Sequence, residues 1–78
     1  MARKVYVSVV VRYNELGQAR PMTVFWEDGR AFEVDRVLDV RPAPALKAGG
    51  HGTRYRCRIA GRETYLFEDE NRWFVEAK

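Results

Sequence analysis

The sequence is poor in the residues that small domains use to crosslink themselves, since its 78 residues include one cysteine and one histidine. A single cysteine excludes an intramolecular disulfide, and one histidine beside it leaves too few ligands for a structural zinc site, which takes four. No apolar run approaches the roughly 20 residues of a membrane-spanning helix, so no membrane partner is expected. The unpaired thiol indicates a reducing, cytoplasmic location.

Side chains with catalytic potential are also scarce. Cys57 alternates with Tyr55 and Ile59, which predicts a small buried side chain and not a nucleophile. His51 is flanked by glycines, which would not hold an imidazole in a fixed geometry. The acidic run Glu68–Glu70 lacks the spacing of a Ca²⁺ loop and is predicted to be a solvated turn. We therefore predict no enzyme, no metal site and no cofactor.

What the chain does contain is typical of a folded all-β domain. Hydrophobic residues make up 46% and aromatic residues 13%, so most of the chain is expected to fold. The length corresponds to one domain, residues 1–78. The net charge is +3, carried mostly by arginine, which permits nucleic-acid binding without requiring it.

The clearest local signal is a β-hairpin centred on Gly29. A two-residue loop would split the neighbouring apolar side chains between both faces of the hairpin. A three-residue loop over 27–29, closed by Gly29 in the left-handed region, pairs Val24 with Phe32 and Met22 with Val34 on one face. Because a slip of one residue would send this set to water, the apolar pattern favours the three-residue loop.

Beyond this hairpin the pattern becomes irregular. An amphipathic helix over 33–41 fits the spacing of Val34, Val37 and Leu38. We prefer a long strand with a bulge or bend near Asp35–Arg36, because no helix N-cap signal precedes the segment. The proline- and glycine-rich segment 41–52 is predicted to be a long flexible loop.

The last hairpin is predicted to turn at Asp69–Asn71, with the asparagine in the left-handed region. That loop pairs Phe67 with Trp73 on one face and places Leu66 with Phe74 on the other. A hairpin that is apolar on both faces lies at the centre of a barrel or is covered by a partner. Leu66 and Phe74 are therefore a candidate interaction patch.

Together these segments predict five or six antiparallel strands in meander order. Small sheets of this kind curl, so the favoured architecture is a half-open, SH3-like barrel. A flatter sheet that forms a homodimer through one face is the alternative.

The strongest candidate binding feature is a row of arginines in the strand over 53–60. Arg54, Arg56 and Arg58 alternate with apolar residues, so they project from one face at intervals of about 6.6–7 Å, and Arg62 follows at the next turn. This repeat is similar to phosphate spacing along a nucleic-acid strand, and nearby aromatic side chains would stack on bases, with three candidates: Tyr6, Phe25 and Phe74. Alternating arginine is equally typical of a solvent-facing strand paired with carboxylates across the sheet.

The chain also resembles a known family over residues 22–76. The segments that carry the likeness are the run from Trp26 to Val40, the strand Arg54–Arg58, the strand Glu63–Phe67 and the ending Arg72–Val75. They resemble a family of small bacterial proteins often encoded beside lesion-bypass DNA polymerases of the Y family. The family's tryptophan-containing segment is replaced here by Arg41-Pro42-Ala43-Pro44. The resemblance implies a shared fold and an accessory role in DNA repair.

Two functions remain open from the sequence. The first is a nucleic-acid-binding accessory module that contacts DNA or RNA through Arg54, Arg56, Arg58 and Arg62. The second is a protein-interaction or homodimerisation module, with a DNA-repair polymerase or another protein as partner, that uses Leu66 and Phe74.

Overall fold

The computed structural model describes residues 3–44 and 51–77, and these form six β-strands. The strands are β1 (Arg3–Tyr13), β2 (Ala19–Phe25), β3 (Ala31–Pro44), β4 (His51–Ile59), β5 (Arg62–Asp69) and β6 (Arg72–Ala77). The predicted all-β class and antiparallel meander order are confirmed. Within the described ranges no helix is long and apolar enough to cross a membrane.

The sheet closes into a barrel, where the sequence predicted a half-open one. Each strand pairs with its neighbour in the chain, and β1 pairs with β6 to complete the ring. Strand β1 makes both contacts because it is long: Arg3–Val7 pairs with β6, and Ser8–Tyr13 pairs with β2. A register shift between Val10 and Val11 bends the strand between its partners.

The central hairpin has the predicted loop. Trp26 N–H donates to the carbonyl of Arg30 at 2.8 Å, and Gly29 takes φ +91°, which glycine adopts without steric cost. Val24 faces Phe32 as predicted. Pairing between β2 and β3 then stops at Thr23 and Glu33, and the predicted pair of Met22 with Val34 does not form. From Val34 onward β3 pairs with β4 alone, so β2 and β3 diverge at this point.

Strand β3 continues through the segment for which a helix was the alternative. Register shifts between Val34 and Arg36 and between Val37 and Asp39 confirm the predicted bulge and add a second one. The loop predicted over 41–52 is wrong at both ends, because 41–44 pairs with 51–54. Residues 45–50 lie outside the described residues. Pro42 is tolerated because this part of β3 pairs only with β4, which leaves its other edge unpaired.

The interior of the barrel holds one apolar core. Its buried members come from five strands and are Val24, Val34, Tyr55, Cys57, Leu66 and Trp73. The rings of Tyr55 and Trp73 lie 5.0 Å apart between centroids and join β4 to β6. The β4 side chains that alternate with this core therefore point to the outside of the barrel.

The register of the last hairpin differs from the prediction. Asp69 pairs with Arg72 across a two-residue loop, in which Glu70 and Asn71 have φ values of 50° and 66°. Asn71 is left-handed as predicted, but the shorter loop pairs Phe67 with Phe74 in place of Trp73.

The candidate interaction patch is consequently not on the surface. Leu66 is 0% exposed inside the barrel, and Phe74 is 1% exposed in a second cluster with Phe67. The Phe67 and Phe74 rings are stacked at 5.2 Å, and Tyr6 meets Phe74 edge-on at 5.7 Å. One copy of the chain thus covers both side chains without a partner.

Candidate nucleic-acid interface

The predicted arginine row lies on the outer face of β4. Tyr55 and Cys57 are buried in the barrel, and the alternating Arg54, Arg56 and Arg58 project outward. Arg62 does not join them. It pairs with Ile59, whose side chain packs against the core, and paired residues project to the same side of a sheet.

Strand β3 supplies two more arginines that the sequence pattern did not reveal. Arg36 is the cross-strand neighbour of Arg58, and Arg41 is the cross-strand neighbour of Arg54. The first bulge in β3 shifts its phase, so alternation counted from Phe32 would place Arg36 inside the barrel. The second bulge restores the phase before Arg41, which the sequence had assigned to a loop. We call the resulting surface the basic face; it consists of Arg36, Arg41, Arg54, Arg56 and Arg58.

Two carboxylates interrupt this positive surface. The Nε of Arg41 lies 2.7 Å from Oδ2 of Asp39, and Nη1 of Arg56 lies 3.0 Å from Oε1 of Glu63. Exposed ion pairs of this kind contribute about 0–1 kcal/mol. The other members of the basic face, Arg36, Arg54 and Arg58, have no carboxylate within ion-pair distance among the described residues.

An exposed tyrosine borders the basic face. Tyr65 is the cross-strand neighbour of Arg56, and 45% of its surface is exposed. The guanidinium carbon of Arg54 lies 4.7 Å from the centre of the Tyr65 ring, within cation–π distance. The three-residue loop predicted for the last hairpin would put Tyr65 on the same face as Trp73. The two-residue turn of the last hairpin separates them, because it brings Trp73 inside the barrel and leaves Tyr65 outside.

The aromatic residues first considered for base stacking lie elsewhere. Tyr6 is exposed on β1, with the guanidinium carbon of Arg72 3.8 Å from its ring centre. Phe25 is exposed on β2, opposite Ser8. Phe74 is buried and has no free ring face for a base, because Phe67 stacks on it and Nζ of Lys4 lies 4.5 Å from its centre.

Cys57, the residue considered as a nucleophile, is buried in the barrel. Burial raises the pKa of the Cys57 thiol to about 11, so the nucleophilic thiolate is suppressed at neutral pH. In the part of the chain that the structure describes, no group of three or more histidine, cysteine or acidic side chains is placed to hold a metal ion. The side chain of His51 lies outside the described residues.

Comparisons of the chain with family models, with curated proteins and with solved structures give no match. The family resemblance from the sequence therefore stays an expectation. A ligand has to be inferred from the set of charged and aromatic side chains on the outside of the barrel.

Proposed function

We propose that the protein is a nucleic-acid-binding accessory module that holds single-stranded DNA or RNA on its basic face. The observation that carries this proposal is the pairing of like charges. Arg36 faces Arg58, and Arg41 faces Arg54, in directly opposed positions of two neighbouring strands. Like charges in such positions destabilise a sheet, so they are poor choices for a surface that serves only the fold.

A polyanion relieves this repulsion. Guanidinium groups present a planar fork that matches two phosphate oxygens. Arg54, Arg56 and Arg58 repeat every second residue of β4, about 6.6–7 Å apart, which suits successive phosphates of an extended strand. Tyr65, with Arg54 beside its ring, offers a stacking surface for one base at the border of the basic face.

The competing explanation is a solvated strand whose arginines pair with carboxylates. The pairs of Arg56 with Glu63 and of Arg41 with Asp39 fit that explanation. Glu63 is also the cross-strand neighbour of Arg58, and Asp39 that of Arg56. Arg36 and Arg54 have no such carboxylate among the described residues, and the two opposed pairs do not fit that explanation either. We therefore favour the binding function.

The test is fluorescence anisotropy of labelled single-stranded DNA, single-stranded RNA and duplex DNA at several salt concentrations. The variant Arg54→Gln/Arg58→Gln removes two arginines that have no carboxylate partner in the described structure. Each phosphate contact on a single strand adds about 0.7 to the salt slope, so the double variant should lower the slope by about 1.4. Tyr65→Ser should weaken binding of single strands by about 5- to 150-fold, which is the effect of losing one stacked base.

A matched control is the variant Arg3→Gln/Arg30→Gln. It removes the same charge, but its arginines lie beside Glu27 and Asp28, away from the basic face. This control should keep the salt slope of the original protein. Equal affinities and equal slopes for the two double variants would show that net charge alone drives binding, and the proposed site would be wrong.

Leu66 and Phe74 are buried within one chain, so these two side chains do not support the alternative of a protein-interaction or homodimerisation module. A role beside a DNA-repair polymerase is the context that the family resemblance suggests for a strand-binding module. A free thiol at Cys57 suits the reducing cytoplasm in which such a module would meet DNA.

A further inference from the structure

A second basic site lies where β2 and β3 separate. Their divergence after Thr23 and Glu33 opens a cleft of about 730 Å³, which is within the usual size of small-molecule sites, about 300–1,000 Å³. Residues from β1 to β4 and from the loop between β1 and β2 line the cleft: Arg12, Asn14, Gln18, Ala19, Arg20, Arg36, Val37, Val40 and Tyr55.

The charge of this cleft is of one sign. Three of the lining residues are arginines, and none is acidic. Arg12 and Arg20 are direct cross-strand neighbours, a third pair of opposed like charges. None of the three arginines forms an ion pair within the described ranges. A cleft with positive walls and apolar surroundings concentrates anions.

The apolar part of the lining is suited to a flat ring. Val37 and Val40 of β3 contribute its accessible part, and the buried Tyr55, packed on Trp73, lies at the floor of the cleft. The loop side is ordered by Asn14, whose side-chain oxygen accepts hydrogen bonds from the backbone N–H groups of Leu16 and Gln18, each at 2.9 Å. The cleft thus combines arginine forks with an apolar surface.

We infer that this cleft binds a nucleotide, with Arg12, Arg20 and Arg36 on its phosphates and Val37 and Val40 against its base. Arginine forks bind phosphate in pairs of hydrogen bonds, and apolar side chains accept a heterocycle. Two kinds of ligand carry these groups: a free nucleoside phosphate, and the terminal nucleotide of a strand with a 5′-phosphate. Arg36 belongs both to the cleft and to the basic face, so a strand on that face is able to end in the cleft.

The test follows the backbone and methyl resonances of the ¹⁵N,¹³C-labelled full chain by NMR during titration with ATP, AMP, adenosine, pyrophosphate and a glutamate-rich peptide. We expect ATP to shift the resonances of Arg12, Arg20, Val37 and Val40, and adenosine to bind far more weakly. Arg12→Gln/Arg20→Gln should weaken ATP binding about tenfold or more, since it removes two charged hydrogen-bonding partners. The variant should stay folded, because the arginines repel each other across the strand pair.

Two controls separate this inference from the proposed function. Arg54→Gln/Arg58→Gln should keep ATP binding in the cleft, and Arg12→Gln/Arg20→Gln should keep binding of an oligonucleotide with a 5′-hydroxyl end. If a 5′-phosphate tightens oligonucleotide binding only when Arg12 and Arg20 are present, the natural ligand is a strand end. If it gives no advantage while ATP still binds, the ligand is a free nucleotide.

Three results would overturn the inference. Shifts confined to resonances of the basic face on addition of ATP would place the nucleotide on β4. Equal ATP affinities of Arg12→Gln/Arg20→Gln and Arg3→Gln/Arg30→Gln would exclude the cleft arginines. Tighter binding of the glutamate-rich peptide than of ATP in the cleft would assign the cleft to an acidic protein segment.

Discussion

Replacement of Phe74 by leucine tests whether the cluster of Phe67 and Phe74 stabilises the folded monomer or forms an interface. Phe74 stacks on Phe67, meets the edge of Tyr6 and lies under the ammonium group of Lys4. Leucine keeps most of the apolar volume and removes all three ring interactions. We therefore expect Phe74→Leu to destabilise the folded monomer and to leave its oligomeric state unchanged.

The magnitude follows from these three contacts. Each aromatic pair contributes about 0.5–1.5 kcal/mol beyond its buried area, and the cation–π contact with Lys4 about 0.5–1 kcal/mol. Allowing for non-additivity, the variant should lose about 2–3 kcal/mol of unfolding free energy. For a domain of this size that corresponds to a fall in Tm of about 10–20 °C.

The assay is thermal unfolding followed by circular dichroism, with molar mass measured by light scattering at high protein concentration. Phe25→Leu is the matched control, because Phe25 is 39% exposed and lies on β2, outside the Phe67–Phe74 cluster. Its change should stay within about 0.5 kcal/mol. Equal Tm values for the two variants would refute the assigned packing. A change of molar mass in Phe74→Leu at an unchanged Tm would restore the interaction patch.

Two further predictions concern β4. Because the Cys57 thiol has a pKa of about 11 in the fold and a lower one when unfolded, the unfolded chain loses its proton first as the pH rises, so stability should fall above about pH 9. Cys57→Val should remove that alkaline loss in denaturant titrations at pH 7 and pH 10, and an unchanged loss would assign it to another group. Gly52→Ala should cost about 1–3 kcal/mol, since its Cβ would lie 2.5 Å from the backbone oxygen of Glu68 and would push β4 away from β5. An unchanged urea midpoint in this variant would contradict the close approach of the two strands.

Most of the strand pattern was predictable because it depends on neighbouring residues. Gly29 and the apolar set around it select one hairpin loop, and the phase change after Val34 indicates a bulge. The register of the last hairpin was not predictable in this way. A two-residue hairpin loop with both residues at positive φ favours asparagine, aspartate or glycine, so Glu70 at its first position does not signal it, and it forms here because it brings Trp73 against Tyr55 in the core. Tertiary packing therefore decided the turn.

The same distinction between local pattern and tertiary packing applies to the residues of the candidate sites. The outward row of Arg54, Arg56 and Arg58 follows from a period of two within one strand. The position of Arg36 depends on the first bulge in β3, which moves it to the outer face, and the second bulge restores the original phase before Arg41. Arg41 escaped prediction because its segment read as a loop. The cleft was out of reach of the sequence, since it exists only because β2 and β3 separate in three dimensions.

The pairing of β1 with β6 brings the two ends of the described chain together. Arg3 and Ala77 are cross-strand neighbours, so their backbones lie about 5 Å apart. A short peptide linker would join these two ends, and the chain could be cut at the tight turn Ala60–Gly61 to give new N- and C-termini. Such a circular permutant would keep every pair of adjacent strands, while the contact most distant along the chain would become the most local. Folding rates of the two chain orders would then show how far closure of the ring limits the search for the native state.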